Sequence, residues 1–278
     1  KTAALGLVAT TLVACGNGAS QSKDTATTAA PKVEDKKITV VASPAPHGEI
    51  LEAAKSILKK DGYDLQINIV NDYVTPNQIV FGGDADANYF QHTPYLEKFT
   101  KEHNEDLVSV GNVHIEPMAI YSKKYKSLAD LPENATVYAS TNPAEVGRFL
   151  AFFTKAGLIK LKDGVKPVEA QLSDIVENKK NIQIKNEIAP ELLVSTFEAN
   201  EGDAVIINSN FAIDAKLSPK KDSIALEDES SPYANLVAVK PKDKDSDKVK
   251  ALIKALQSDE IRKFISDKYA DGSVIPAK

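Results

Sequence analysis

The sequence predicts an α/β protein, and three observations carry that reading. Short β-branched runs alternate with segments of helical apolar spacing over most of the chain. Helix start and stop signals fall between them. The 278 residues, 42% hydrophobic and 26% charged, supply enough apolar material for a packed core, in one large domain or two lobes. Strands alternating with helices imply α/β layers built on mostly parallel sheets.

Ile38–Ala42 (ITVVA) reads as the first strand. Ile50, Leu51, Ala53, Ala54, Ile57 and Leu58 recur at helical spacing, and Gly62 stops that helix. Leu65, Ile67 and Ile69 alternate with Gln66 and Asn68, the pattern of a strand with one buried face. Thr75 reads as an N-cap, with Pro76 at the first helical position. Further strands are expected at Ala85–Tyr89, Leu107–Val113 and Ile115–Tyr121, with a short helix over Pro94–His103. In the second half, Ala135–Ala139 is a strand, and Asn142-Pro143-Ala144-Glu145 opens a helix with capping-box spacing that Gly157 ends. Strands follow at Ile182–Ile184, Ala204–Ile207 and Leu236–Lys240, and helices at Pro190–Glu198, Asn210–Leu217, Val249–Leu256 and Ile261–Tyr269.

Ligands of α/β sheets gather outside the carboxyl ends of strands. The segments to examine are therefore Ser43–His47, Asp72-Tyr73, Asn88–His92, His114–Glu116, Ser140–Arg148, Asn208–Asn210 and Tyr233–Asn235.

Charge and cysteine count narrow the function classes. The formal net charge is −5, from 34 Lys+Arg against 39 Asp+Glu, with lysines scattered. Nucleic-acid binding needs a concentrated basic face, so no nucleic-acid partner is expected. A single cysteine excludes an intramolecular disulfide framework and a Cys-rich zinc site. No apolar run reaches the ~20 residues that span a bilayer.

The N-terminus reads as an address. Lys1 is followed by small apolar residues through Ala14, the end of a secretory signal peptide over 1–14 whose start is trimmed. The only cysteine stands just after it, in Leu12-Val13-Ala14-Cys15, which resembles a bacterial lipobox. Lipidation of Cys15 would add two acyl chains, the number that stable anchoring needs. The competing reading is an ordinary signal peptide with an incidental thiol. Residues 15–37 are small, polar and unpatterned after the cysteine, a flexible tether with a reach of roughly 25 Å. The folded part is thus expected at the cell membrane, lipid-anchored on its extracytoplasmic face.

Several segments together resemble a known family. DYVTPNQ (Asp72–Gln78), DANYFQHTPYLE (Asp86–Glu97), VHIEPMAIYSKKYKSLADLP (Val113–Pro132), KAGLIKLKDG (Lys155–Gly164), INSNFA (Ile207–Ala212) and SPYANLVAVK (Ser231–Lys240) are similar to the methionine-binding lipoproteins of ABC importers, the NlpA type. The resemblance runs from about Ile38 to the C-terminus. It implies a two-lobed periplasmic-binding-protein (type II) fold, each lobe a sheet flanked by helices, with the ligand in the interlobe cleft. The chain would cross near Glu116–Met118 and Ser231–Tyr233, giving lobe one as 38–116 plus 233–278 and lobe two as 117–232. The resemblance also implies a receptor rather than an enzyme, with no cofactor. Its partners would be methionine (L or D) or a close relative, an ABC permease and that permease's ATPase.

A free amino acid presents a carboxylate, an ammonium and a side chain, and each asks for its own partner. Arg148 suits the carboxylate, because its planar fork grips both oxygens near a helix N-terminus opened by Asn142. The bland alternative is a surface arginine on that helix. Asn208, Asn210 and Asn235 offer amide groups to the charged ends, although Asn210 also fits a routine N-cap. The resemblance favours Asn208 and Asn235, where family members carry an asparagine. Tyr73, Phe90, Tyr95 and Tyr233 suit an aromatic sleeve for a thioether, against the alternative of ordinary core aromatics. His92 is expected at the ligand, and His114 fits a ligand contact and a structural role equally. The stretch before Arg148 departs from the family's N-D-P-T-N-E-G-R: Glu145 and Val146 replace its last asparagine and its glutamate, which bears on which amino acid is bound.

Two other classes compete. A metal-ion receptor of an ABC importer could draw on His47, His92, His103 and His114, with His114-Ile115-Glu116 as a strand-borne ligand pair, but it needs three or four ligands to converge. An anchored hydrolase could draw on Ser43 and His47. The sequence holds neither a G-x-S-x-G elbow nor an H-E-x-x-H motif.

Overall fold

The computed structural model describes residues 36–228 and 232–277. The leader, Cys15, the tether to residue 35 and Ser231 lie outside the described residues. Among those described, no helix is long and apolar enough to cross a membrane.

The chain first builds β1 (Lys37–Ala42), α1 (Glu49–Lys60), β2 (Asp64–Ile69), α2 (Thr75–Gly82), β3 (Ala87–His92), α3 (Thr93–His103) and β4 (Val108–Ile115). It then forms β5 (Ala119–Tyr121), β6 (Thr136–Ser140), α4 (Val146–Lys155), the hairpin β7 (Ile159–Leu161) and β8 (Ile175–Asn178), and β9 (Gln183–Ile188). Next come α5 (Leu193–Glu198), β10 (Ala204–Ile207), α6 (Ser209–Asp214), α7 (Pro219–Asp222) and β11 (Ser223–Leu226). The chain closes with β12 (Ala234–Val239), α8 (Asp247–Leu256), α9 (Asp259–Lys268) and β13 (Ile275–Pro276).

Two sheets result. One has the order β13-β4-β12-β3-β1-β2, the other β11-β5-β10-β6-β9. The chain leaves the first at Glu116–Met118 and returns to it between Leu226 and Ala234. Each sheet buries both faces, and period-two alternation assigns them. Ile38, Val40 and Ala42 face the core under α1, α8 and α9, while Val41 faces the core that holds Val80, Leu96 and Leu236. Ile120, Val137, Ala204 and Ile206 pack with Phe149, Leu150 and Phe153 of α4. Their neighbours Ala119, Tyr121, Val205 and Ile207 pack instead with Leu193 of α5 and Phe211 of α6.

Both sheets are mixed, which corrects the expectation of mostly parallel pairing. β1 pairs parallel with β2 and β3, and β6 pairs parallel with β9 and β10. The strands next to the crossings run the other way. β12 returns between β3 and β4 antiparallel to both, and β5 lies antiparallel to β10 and β11. A strand entering from the other sheet arrives at the opposite end from one delivered by a crossover helix.

Local corrections have local causes. β1 takes Lys37, which the sequence assigns to the tether. β3 runs on through Phe90, Gln91 and His92, because β12 pairs with it as far as Asn235 opposite His92. Residues 115–121 do not form one strand, since Pro117 has no N–H to give a ladder. Thr75 lies inside α2 rather than capping it, and the Asp72 carboxylate accepts from Val74 N and Thr75 N instead. Residues 142–145 form a turn before α4 with no capping box, in which Asn142 Oδ1 accepts from Ala144 N. Gly62 and Gly157 end α1 and α4 at φ of +85° and +67°.

Candidate ligand-binding site

The strand ends converge on one small cavity of about 30 Å³, less than the ~300–1,000 Å³ of open small-molecule sites. Of the residues singled out in the sequence, Tyr73, Phe90, His92, Tyr95, Asn142, Arg148, Asn208, Asn210 and Asn235 line it. They come from segments of both sheets. Two are not on its wall: His114 is fully buried, and Tyr233 lies under Arg148. Gln91, Glu116, Glu145 and Ser209 also line the cavity.

The aromatic wall is continuous. The Tyr73 ring lies 6.0 Å from Phe90, 6.1 Å from Tyr95 and 5.4 Å from Phe211, and Phe90 lies 5.9 Å from Tyr95. Hydrogen bonds fix the two tyrosines. Tyr95 donates to the Tyr73 carbonyl (2.5 Å), and Tyr73 donates to Asn210 Oδ1 (2.7 Å). Tyr73 follows β2 and Asn210 lies on α6, so this bond joins the two halves of the wall. Burial pushes the Tyr73 phenol well above its ordinary range, leaving it a neutral donor. Behind Gln91, the buried amides of Asn77, Asn88 and Gln91 satisfy one another and hold β3 to α2.

Arg148 is buried, which removes the surface-arginine alternative. Its Nε and Nη2 meet both carboxylate oxygens of Glu227 at 2.6–3.1 Å, and Nη2 also donates to the Glu116 carbonyl (2.7 Å). The guanidinium lies 4.6 Å over the Tyr233 ring. Burial alone would lower its pKa, but the Glu227 carboxylate raises it overall. Glu227 lines the groove behind Arg148 rather than the cavity, and Met118 N donates to it (3.0 Å). The fork is therefore gripped from behind, and Nη1, 4.0 Å from Glu145 Oε1, is the edge left for the cavity.

Burial favours the neutral form of the three histidines at and behind the cavity. His92 Nδ1 accepts from Tyr95 N (3.3 Å) at the start of α3, so Nε2 carries the proton and faces Glu145 Oε1 at 3.7 Å. Burial lowers its pKa. His47 Nε2 lies 3.0 Å from Asn235 Oδ1 and 3.2 Å from Glu116 Oε1, both acceptors, so that nitrogen bears its hydrogen. His114 Nε2 donates to Glu116 Oε1 (2.7 Å), and its Nδ1 accepts from the Tyr89 hydroxyl. Burial pushes His47 down to about 4 and His114 to about 3, and it raises the Glu116 carboxyl.

His47, His114 and Glu116 are thus the histidine and carboxylate groups that converge among the described residues, with their ligand atoms within 4.8 Å of one another. Their spacing is that of hydrogen bonds to a shared carboxylate oxygen, which accounts for the cluster without a metal. His92 faces Glu145 instead, and His103 stacks on Phe99 at the far end of α3. Gln91, Glu145 and Ser209 lie in segments that the sequence pointed to, but nothing in it singled them out as ligand contacts. The available signal for Glu145 was its position three before Arg148, which puts both on one side of the first turn of α4.

A two-sheet α/β chain that encloses a small cavity of charged, amide and aromatic groups at its strand ends is a periplasmic-type substrate-binding protein. The chain belongs to the NlpA lipoprotein family, whose model matches residues 38–278. It is 47% identical over 269 residues to the methionine-binding lipoprotein MetQ of Bacillus subtilis, covering 95% of this chain and 93% of that one. It is 42% identical over 227 residues to the D-methionine-binding lipoprotein MetQ of Escherichia coli K12, covering 81% and 83%. A nutrient-binding protein of Burkholderia cenocepacia bound to methionine has a similar structure. The TM-score is 0.81 at 40% identity, over 87% of this chain and all of the other.

Proposed function

We propose that this chain is the substrate receptor of an ABC importer and that it binds methionine or a close relative in the cavity between its sheets. The convergence of one guanidinium, four asparagines and an aromatic wall on that cavity carries the reading. In this account Nη1 of Arg148 takes the ligand carboxylate, and Asn142, Asn208, Asn210 and Asn235 complete the polar end. The side chain lies among Tyr73, Phe90 and Tyr95, where each sulfur–ring contact adds roughly 0.3–1.5 kcal/mol. His92 closes the wall, with His114 and Tyr233 supporting it from behind.

The lobes are 38–116 plus 233–278 and 117–232, and they hinge at the two crossings. Because the wall draws on both, ligand contacts favour the closed form, which then docks on a permease served by an ATPase. Cys15 carries the lipid that holds the receptor to the outer face of the membrane. Binding and release is the whole of its chemistry.

Calorimetry tests the binding reading. L- or D-methionine is expected to bind, and Arg148→Ala to weaken that binding at least about tenfold, or ~1.4 kcal/mol. Unchanged affinity in the variant overturns the assignment of Arg148. A response to zinc or manganese with none to any amino acid overturns the reading itself. Cys15→Ser is expected to release the protein from the membrane fraction, and retention there contradicts the anchor.

A further inference from the structure

Glu145 is the least explained charge in the cavity. It is 1% exposed. Its Oε1 accepts from Asn208 Nδ2 (2.5 Å) and lies 3.7 Å from His92 Nε2 and 4.0 Å from Arg148 Nη1. Its Oε2 has no hydrogen-bond partner, and neither does Asn208 Oδ1. Both atoms are buried, both only accept, and both residues line the cavity.

A buried acceptor without a donor is costly, and a charged one more so, so native structures rarely keep two together without a use. The neighbouring donors are engaged or out of hydrogen-bond reach, with Arg148 Nη1 and His92 Nε2 at 4.0 and 3.7 Å from Oε1. Arg148 gives Nε and Nη2 to Glu227 and Glu116, and Asn208 has spent Nδ2 on Glu145 itself. The wall also carries two carboxylates, Glu116 and Glu145, against one guanidinium. The missing group is therefore a small cation with several N–H donors. A primary ammonium has three, enough for Glu145 Oε2 and Asn208 Oδ1 together. A neutral amide offers one N–H, no charge, and a carbonyl that would face a carboxylate.

We propose that Glu145, with Asn208, is the ammonium acceptor of the cavity and makes a free, protonated amine a condition of binding. The inference rests on the amino-acid reading above and adds the class it selects: free amino acids, with N-acylated and desamino analogues rejected. It falls on the position where the sequence departs from the family's stretch before Arg148. Glu145 acts here as an electrostatic filter rather than as packing.

Calorimetry on the full chain tests this with L-methionine, N-formyl-L-methionine and the desamino analogue that keeps carboxylate and thioether. The wild type is expected to bind both analogues at least ~100-fold more weakly than methionine. E145Q keeps the size and the carbonyl that accepts from Asn208 but loses the charge. It is expected to bind methionine at least ~10-fold more weakly and to narrow the gap to the N-formyl compound. N-formyl-methionine binding the wild type within about threefold of methionine overturns the proposal, as does E145Q with both affinities unchanged. The wild-type comparison stands even if E145Q does not fold. If the wild type takes another amino acid in place of methionine, the methionine reading falls, and that amino acid with its N-formyl derivative decides the role of Glu145. If it takes no amino acid, both fall.

Discussion

Replacing Arg148 by methionine removes a guanidinium whose side chain is 5% exposed, and it strands a Glu227 carboxylate that is 14% exposed. The pair is bidentate, and Arg148 also serves the Glu116 carbonyl and the Tyr233 ring. Taking one partner from a buried pair costs about 3–5 kcal/mol, chiefly because the survivor stays desolvated. Glu227 still accepts from Met118 N and has some access to water, so Arg148→Met should sit at the low end, about 3 kcal/mol. Glu227→Gln keeps that backbone bond but leaves Arg148 charged. The carboxylates of Glu145, at 4.0 Å, and Glu116 remain near it, so this variant should cost less, about 2 kcal/mol. The double variant should lose less than the sum by ~1–3 kcal/mol, the coupling expected of contacting charges. Urea unfolding followed by far-ultraviolet circular dichroism measures all three. An additive cycle, or Arg148→Met costing under about 1 kcal/mol, refutes the claim that Glu227 holds the guanidinium in place.

The buried histidines set the acid side of the stability curve. His47 and His114 titrate near 6.5 when unfolded but are held at about 4 and about 3 when folded. The unfolded chain therefore binds more protons between pH 6.5 and about 4, and stability falls as pH falls through that window. From pH 7 to pH 5 the loss is about 2 kcal/mol per histidine, offset in part by Glu116, whose raised carboxyl takes a proton more readily in the folded state. A flat unfolding free energy over that range contradicts neutral buried imidazoles. Gly147→Ala sets helix propensity against packing. Alanine gains up to ~1 kcal/mol in α4, but its Cβ would stand 2.0 Å from the Pro167 carbonyl oxygen, and overpacking of this kind costs ~1–3 kcal/mol. A net loss with a lowered melting temperature is expected, and a rise in melting temperature counts against the close packing of α4 on 167–169.

What was legible in the sequence followed local physics. α1 announces itself by Ile50, Leu51, Ala54 and Leu58 on one face, with Glu49 and Glu52 at its start and Lys59 and Lys60 at its end. The position of wall residues after strands followed from the α/β pattern, and the family resemblance chose among them. Pairing direction was not legible, because β12 carries the same apolar run whether it enters its sheet parallel or antiparallel. The β7–β8 hairpin was missed because its strands are three and four residues long and carry little alternation. The partner of Arg148 was hidden as well. Glu227 lies 79 residues away, and only the return crossing brings it to α4. His114 reads from sequence as ligand contact or scaffold with equal ease, and only the closure of Glu116 and Tyr89 around it puts it behind the wall.

Mass spectrometry of the small molecules released when the protein is denatured, after purification without added ligand, tests the central claim most directly. The account predicts a free amino acid in near one-to-one amount, methionine or its near relative, with its amine unmodified. A stoichiometric metal ion with no amino acid would contradict it, as would an occupant lacking either a carboxylate or an ammonium.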